Sequence, residues 1–581
     1  MEDYDTKAAF SDFLPGVAGV YGKPVWGFYV NRGQGIASFG TKSKETPMME
    51  FNAANKAYQN TPYLGFRTFI QGKRGKKSFL SEPFSPAKTR VPGAPDQHKK
   101  PKRVMYVGLN EMEIKEVDHE NGITVNSTYI VLPMESFSSF VRRTTYTNTG
   151  ADDLTFSSLD GVARFEPTGG EIDWSLKNMG RTLEGWMGVY QADENSISMP
   201  FFKMSTEPAD TASVIIEKAG HYCLSFVVNE DAKSDLLPVA YDPRKIFGWD
   251  TSMTEPAGLE TTSIADLIKN PQYGDAKTSS AMPALQDVTL APGESITVAT
   301  FYGKTSHIDN VQEIADKITQ PGYVSGKFAQ ARSFMAKTFS GVQTNSDDNL
   351  FNGAVTQMFL DNSLRGGLPK IMGDVDDSTK TLTYDDDSRV KVFHVFSRIH
   401  GDLERDYNQF VIEPSYFSQG PGAFRDVAQN RRSDVFFVPR MASFDVQLFL
   451  GFIQADGYEP LSVQAVAYEY VDHDKAFEVA SLLCSDLKSK EVLRNIMVGG
   501  PFRPGQIFDL VEQLGVDVTA DDHTMINTIL ANANETAIAS YSEGYWADHW
   551  DYYLDLINTY LAIYPDGEEV SNRKNYLKGS P

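Results

Sequence analysis

A chain of 581 residues that is 41% hydrophobic and 12% aromatic is a folded protein, too long for one ordinary core. Its net charge of −23 opposes nucleic acid and anionic membranes as partners and favours a neutral ligand. Two cysteines far apart in sequence, Cys223 and Cys484, exclude a disulfide framework or a cysteine-rich zinc site; with an acidic N-terminus and no long apolar run, the expected location is cytoplasmic.

The first 300 residues alternate apolar and polar side chains, the pattern of half-buried strands. PVWGFYVNRGQGIASFGTKS (24–43) reads as strand, glycine turn, strand. TTYTNTG (144–150), SVIIEKAGHYCLSFVV (213–228) and VTLAPGESITVATFYG (288–303) continue the pattern, and Ala-Pro-Gly-Glu at 291–294 signals a hairpin. The basic stretches Lys73–Lys77 and His98–Arg103 lie among Gly and Pro and read as solvated loops. GQGIASFG (33–40) lacks both a phosphate-loop lysine and dinucleotide-binding spacing.

Helical spacing begins with VQEIADKITQ (311–320) and KFAQARSFMAKTF (327–339), which suit a connector. NLFNGAVTQMFLDNSL (349–364) follows the cap candidates Ser346 and Asp347. Further helices are expected over 443–455, 475–489, 505–515, 522–533 and 551–564, with long loops between them, above all 365–440. Asp374, Asp376, Asp377 and DDDS (385–388) do not match an EF-hand and read as a solvated acidic loop. The domains expected are therefore 1–305 (β), 306–342 (helical linker) and 343–581 (helical).

Two stretches carry candidate chemistry. HGDLERDYNQFVIEPSYFSQGPGAFRDVAQNRRSDV (400–435) groups Asp402, Arg405, Asp406, Arg425, Asp426, Gln429, Arg431 and Arg432. Paired guanidinium and carboxylate groups suit vicinal hydroxyls, and they equally suit an ion-pair network at a loop base. YSEGYWADHWDYYLD (541–555) places Trp546, Asp548 and His549 together. An indole can lie against the apolar face of a sugar, and a carboxyl group desolvated beside it can act as a general acid. The same stretch also reads as a helix N-terminus capped by Asp548, with its aromatics in a core.

Together the two stretches resemble the inverting glycoside phosphorylases, the group of cellobiose, chitobiose and β-glucan phosphorylases (glycoside hydrolase family 94-like). The family motif of an aromatic residue, Arg-Asp, then Gln-Asp or Gln-Asn is matched by Phe424-Arg425-Asp426 and Gln429-Asn430; its Trp-x-Asp is matched by Trp546-Ala547-Asp548 about 120 residues later. RIHGDLERDYN (398–408), FSQGPGAFRDVAQNRRSDV (417–435) and EGYWADHWDYYLDLI (543–557) look most like the β-glucan branch.

The resemblance implies an N-terminal β-sandwich of the supersandwich type, a helical linker and part of an (α/α)6 barrel. It implies that Asp548 is the general acid and that Arg425, Asp426, Gln429 and Trp546 bind sugar. Asp402, Arg405, Asp406, Arg431, Arg432 and His549 would stand behind them. The implied substrates are a β-linked gluco-oligosaccharide, best matched by β-1,3-glucan, and inorganic phosphate as co-substrate; no metal or organic cofactor is implied. The family's later phosphate-gripping residues find no match before Pro581, so the expectation is an incomplete barrel, either a truncated sequence, one piece of a split enzyme or a remnant, with a homo-oligomer or a C-terminal partner chain as the expected partner. An inverting hydrolase on the same architecture and a non-catalytic β-glucan-binding subunit are the rival expectations.

Overall fold

A computed structural model describes residues 1–86, 101–208, 212–375, 381–384, 388–399, 410–541 and 546–567. The described chain divides into two compact units: residues 1–18 and 22–336 form the first, and 19–21 with the described residues from 337 onward form the second. No helix among the described residues is long and apolar enough to cross a membrane.

The first unit is built on antiparallel sheets of eight, five and four strands. Long alternating strands supply one apolar side to a common core. Tyr129, Phe140, Tyr146 and Tyr302 come from the eight-stranded sheet, Phe66, Ile70, Phe156 and Val162 from the five-stranded one, and Tyr29, Ile36 and Phe39 from the smallest. Trp26–Val30 and Ile36–Gly40 pair across the glycine turn at 33–35, where Gly33 (φ 54°) and Gly35 (φ 85°) adopt left-handed backbone. A Cβ on Gly33 would also meet the Pro62 backbone at 2.9 Å.

The reversal at 291–294 is real, with the Ala291 N–H donating to Glu294 Oε2, but it does not make a hairpin. Ser279–Leu290 pairs with Leu154–Phe165 in the five-stranded sheet; Ser295–Thr305 pairs with Ser138–Asn148 and Gly220–Val227 in the eight-stranded sheet. The turn carries the chain from one sheet to the other, as strand-switching corners do. The expected strand over 213–228 is reduced to Gly220–Val227, and Val214 and Ile216 are exposed. The basic run 73–77 is a tight turn between paired strands, and Arg103 is buried on Glu116 and Asp5, so neither is simply a solvated loop.

Helices Asn310–Ile318 and Tyr323–Thr338 lie in the stretch read as a connector, and up to residue 336 they belong to the first unit. Their apolar faces (Val311, Ile314, Ile318, Val324, Phe328) share a core with Ile130, Val141, Leu224 and Phe301, on the side of the eight-stranded sheet away from the core that the sheets have in common.

The second unit is mainly helical. Asn349–Arg365 is capped by Asp348, one residue past the expected caps, whose carboxylate accepts from the N–H groups of Leu350 and Phe351. Phe444–Gly451, Pro504–Gln513, Asp522–Asn532 and His549–Ile563 lie where apolar periodicity placed them. The single helix expected over 475–489 is two, His473–Leu483 and Leu487–Val498. The chain turns extended at Cys484 and restarts on Asp486, which caps the second helix through the Ser489 N–H. A short hairpin, Leu368–Gly373 with Val390–Val395, lies within the expected long loop. Apolar side chains stay outside the core of this unit, Leu350 at 85% and Met358 at 72% exposure among them.

Candidate functional site

Helix Phe424–Arg431 opens the first candidate motif and helix His549–Ile563 follows the second. Phe424, fully buried, packs its ring 4.9 Å from His549 and 5.3 Å from Tyr553. His549 and Tyr553 are four residues apart on one helix and so share a face. The two motifs, distant in sequence, thereby meet at the N-terminal ends of two adjacent helices. Arg432 extends the seam by pairing with Asp555.

Arg425 is exposed and near enough to His549 for its charge to act on that ring. Gln429 lies four residues on, half-buried. Asp426 is half-buried; its carboxylate reaches Arg365 of the 349–365 helix at 3.2 Å and lies 3.9 Å from the Arg425 Nε. Trp546 is 47% exposed and stacks on His549 with ring centroids 6.2 Å apart and planes 20° apart. An exposed indole supported from behind by a second ring suits contact with a flat, partly apolar ligand face.

Asp548 is exposed at the N-cap position, immediately before its helix. Its carboxylate makes no capping hydrogen bond, so the structural role open to it in the sequence is unused. Nor does Trp546 bury it, as the desolvation argument expected. His549 is buried; burial pushes its pKa down, Asp548 and Glu459 oppose that, and Arg425 adds to it, so the ring is neutral near pH 7. Asp402, Arg405 and Asp406 lie outside the described residues.

Glu459 belongs to this site and was not legible in the sequence. It is 2% exposed, and its Oε1 accepts the Trp546 backbone N–H at 2.7 Å. The carboxylate thus fixes the start of the Trp546-Ala547-Asp548 turn. Its Oε2 is buried without a partner, as are His549 Nδ1 and the Tyr553 hydroxyl. An acidic residue between Tyr458 and Pro460 in a loop carries no sequence signal of burial.

Arg431 serves a different place. It is buried, donates through Nε to the Gly366 carbonyl at 2.9 Å, and its charge acts on Asp434 and Asp445. His394 Nε2 lies 2.8 Å from Asp434 Oδ2 and 3.7 Å from Asp445 Oδ1, with all three side chains buried. Burial, followed by the repulsion of its neighbour, holds the Asp434 carboxyl well above the ordinary range; burial also raises Asp445, and lowers His394 so that its imidazole is neutral. Asp374, from the acidic loop, pairs with Arg389 at 3.2 Å; Asp376, Asp377 and 385–387 lie outside the described residues.

No family model and no curated protein matches the chain. Among solved structures, a bacterial glucoamylase complexed with acarbose is similar over 89% of this chain and 65% of its own, at 10% identity and a TM-score of 0.34. A polysaccharide lyase is similar over 51% of this chain and 34% of its own, at 12% identity and a TM-score of 0.27. A putative aldose 1-epimerase from Escherichia coli K12 is covered completely by 52% of this chain, at 10% identity and a TM-score of 0.26. The chain spans about a third of the lyase and about two thirds of the glucoamylase. At these TM-scores the likenesses define neither a fold nor an activity for the chain, and the phosphorylase resemblance stands on its motifs and their spacing.

Proposed function

We propose that the protein acts on carbohydrate at the face formed by the starts of helices Phe424–Arg431 and His549–Ile563, and that its reaction is inverting phosphorolysis of β-linked gluco-oligosaccharides, β-1,3-glucans above all. The supporting observation is the contact of Phe424 with His549 and Tyr553, which brings the Arg425-Asp426 and Trp546-x-Asp548 motifs to one place. In this reading the unit is part of an (α/α)6 barrel and the sandwich is of the supersandwich type.

Arg425 and Asp426 hold hydroxyls of the transferred glucosyl unit, with Gln429 beside them, and Trp546 packs on a sugar face. Arg365, which grips Asp426, sets that carboxylate's direction. A phosphate oxygen forms a bond to the anomeric carbon as the glycosidic C–O bond breaks. The electron pair stays on the leaving oxygen, which takes its proton from Asp548. Attack from the face opposite the leaving group turns a β-linkage into α-glucose 1-phosphate. Inverting hydrolysis needs a second carboxylate to activate water, whereas phosphate is already a nucleophile, so one acid suffices. Asp548 suits the role because its carboxylate is exposed and not spent on the helix end.

The test is release of glucose 1-phosphate from β-1,3-gluco-oligosaccharide and phosphate. Asp548→Asn is expected to lower the rate by roughly two to four orders of magnitude while oligosaccharide binding persists. Release of free glucose without phosphate would replace this reading by the hydrolase. Binding with no turnover of either kind would replace it by a glucan-binding subunit.

A further inference from the structure

We propose that His394, Asp434 and Asp445 form a buried structural site for one divalent transition-metal ion of the zinc–manganese class. The three come from separate elements: strand Val390–Val395, helix Asp434–Phe437 and helix Phe444–Gly451. One ligand atom from each lies within 4.8 Å of the other two. Donor atoms bonded to one ion at about 2.0–2.2 Å lie no more than about 4.4 Å apart, and the 2.8 and 3.7 Å from His394 Nε2 to Asp434 Oδ2 and Asp445 Oδ1 fall inside that limit.

The second observation is the state of Asp445. Its Oδ1 is buried and makes no hydrogen bond, yet it faces His394 Nε2 at 3.7 Å. A buried acceptor without a partner is destabilising, and a charged one more so. A proton shared between the two carboxyl groups relieves their repulsion but leaves that oxygen unbonded. A cation relieves the repulsion and bonds all three groups.

The surroundings agree with this. The carboxylates outnumber the guanidinium facing them: Asp434 and Asp445 act on Arg431, and Glu535 acts on it too. His394 is held neutral by burial and by Arg431, the state in which an imidazole nitrogen can ligate. One imidazole with two carboxylates is a mixed nitrogen and oxygen donor set, unlike the all-oxygen shells of calcium and magnesium. The ion would bolt the 390–395 strand to the two helices; its role is stability, independent of the sugar chemistry.

The test uses the full, tag-free chain stripped with EDTA, desalted and titrated with Zn2+ or Mn2+. We expect one equivalent retained by elemental analysis and a rise in Tm of roughly 5–10 °C in the second-unit transition at about a hundredfold excess over Kd. Asp445→Asn keeps the shape of the side chain and should lose the equivalent and the rise; Asp374→Asn, in the acidic loop, should keep both. Visible absorption of the Co2+-loaded unsubstituted chain, with the signature of mixed nitrogen and oxygen ligation, supports the site without any variant. No retained metal and no rise in Tm would overturn it, as would retention unchanged in a folded Asp445→Asn protein.

Discussion

The rings of Phe424 and His549 pack 4.9 Å apart and tilted by 35°, joining the first residue of one helix to the first residue of another. Phe424 carries no reactive group, and His549 is expected to stand behind the groups that meet the sugar. Each sits next to candidates for that contact: Arg425 and Asp426 follow Phe424, and Asp548 precedes His549. A buried aromatic pair therefore sets the spacing of the polar groups around it. Phe424→Ala would leave a cavity under both motifs and is expected to destabilise the second unit by about 3–5 kcal/mol. Denaturant titration followed by tryptophan fluorescence checks this; a loss under about 1 kcal/mol would mean that the contact does not hold the helix ends together.

Glu459 offers a finer probe of the same arrangement. Its carboxylate accepts the Trp546 N–H from a buried position. Glu459→Gln retains an acceptor oxygen and Glu459→Ala does not. If this bond positions the Trp546–Asp548 turn, calorimetry with a β-1,3-gluco-oligosaccharide should show about tenfold weaker binding for the alanine variant and near-normal binding for the glutamine variant. Equal losses in both would show that the charge, rather than the hydrogen bond, is what matters.

The order of texture, strands before 305 and helices after 345, was legible because periods of two and 3.6 depend on local sequence alone. What failed was information held by partners. The Ala-Pro-Gly-Glu turn reports a reversal but not that its flanking strands pair in different sheets. The apolar pattern runs through Cys484, so the break between two helices was hidden until Asp486 was seen to cap the second. The site divides in the same way. Trp546 and Asp548 are close in sequence and could be read together, whereas Glu459 joins them only through the fold. Arg431 is one turn or more along its helix from Arg425 and Asp426, and there it meets His394, Asp434 and Asp445, which no spacing in the sequence connects.

His221 makes the first unit sensitive to acid. Its ring is buried, with Nδ1 2.8 Å from the Glu166 carbonyl; burial, aided by Lys304, lowers its pKa to about 3. An unfolded histidine titrates near 6.5. Between those values the unfolded chain binds more protons than the folded one, so stability is full above about pH 6.5 and falls as the pH drops towards 3. The loss across the whole window is on the order of 5 kcal/mol. His221→Gln, which cannot take up a proton, should flatten this part of the stability–pH curve for the first-unit transition. The same acid slope in both proteins would assign it to other groups.

Arg142 and Asp160 test how the core shared by the sheets of the first unit tolerates charge. Asp160 Oδ1 accepts from Thr68 at 2.6 Å and from Arg142 Nη2 at 2.7 Å; its Oδ2 accepts from Thr144 at 2.7 Å and from Arg142 Nε at 3.1 Å. The guanidinium also donates to Gln34 Oε1 at 2.7 Å and to the Tyr129 hydroxyl. These partners come from all three sheets or their turns, so the ion pair sets how the sheets register. Asp160→Leu alone strands a buried guanidinium and is expected to cost about 3–5 kcal/mol. Arg142→Met with Asp160→Leu removes both charges and should cost much less than the two single losses added together. Urea denaturation of the four proteins, treated as a double-mutant cycle, measures the coupling directly. Additive losses would mean that each charge is satisfied by its other partners, and the pair would then be a bystander in the core.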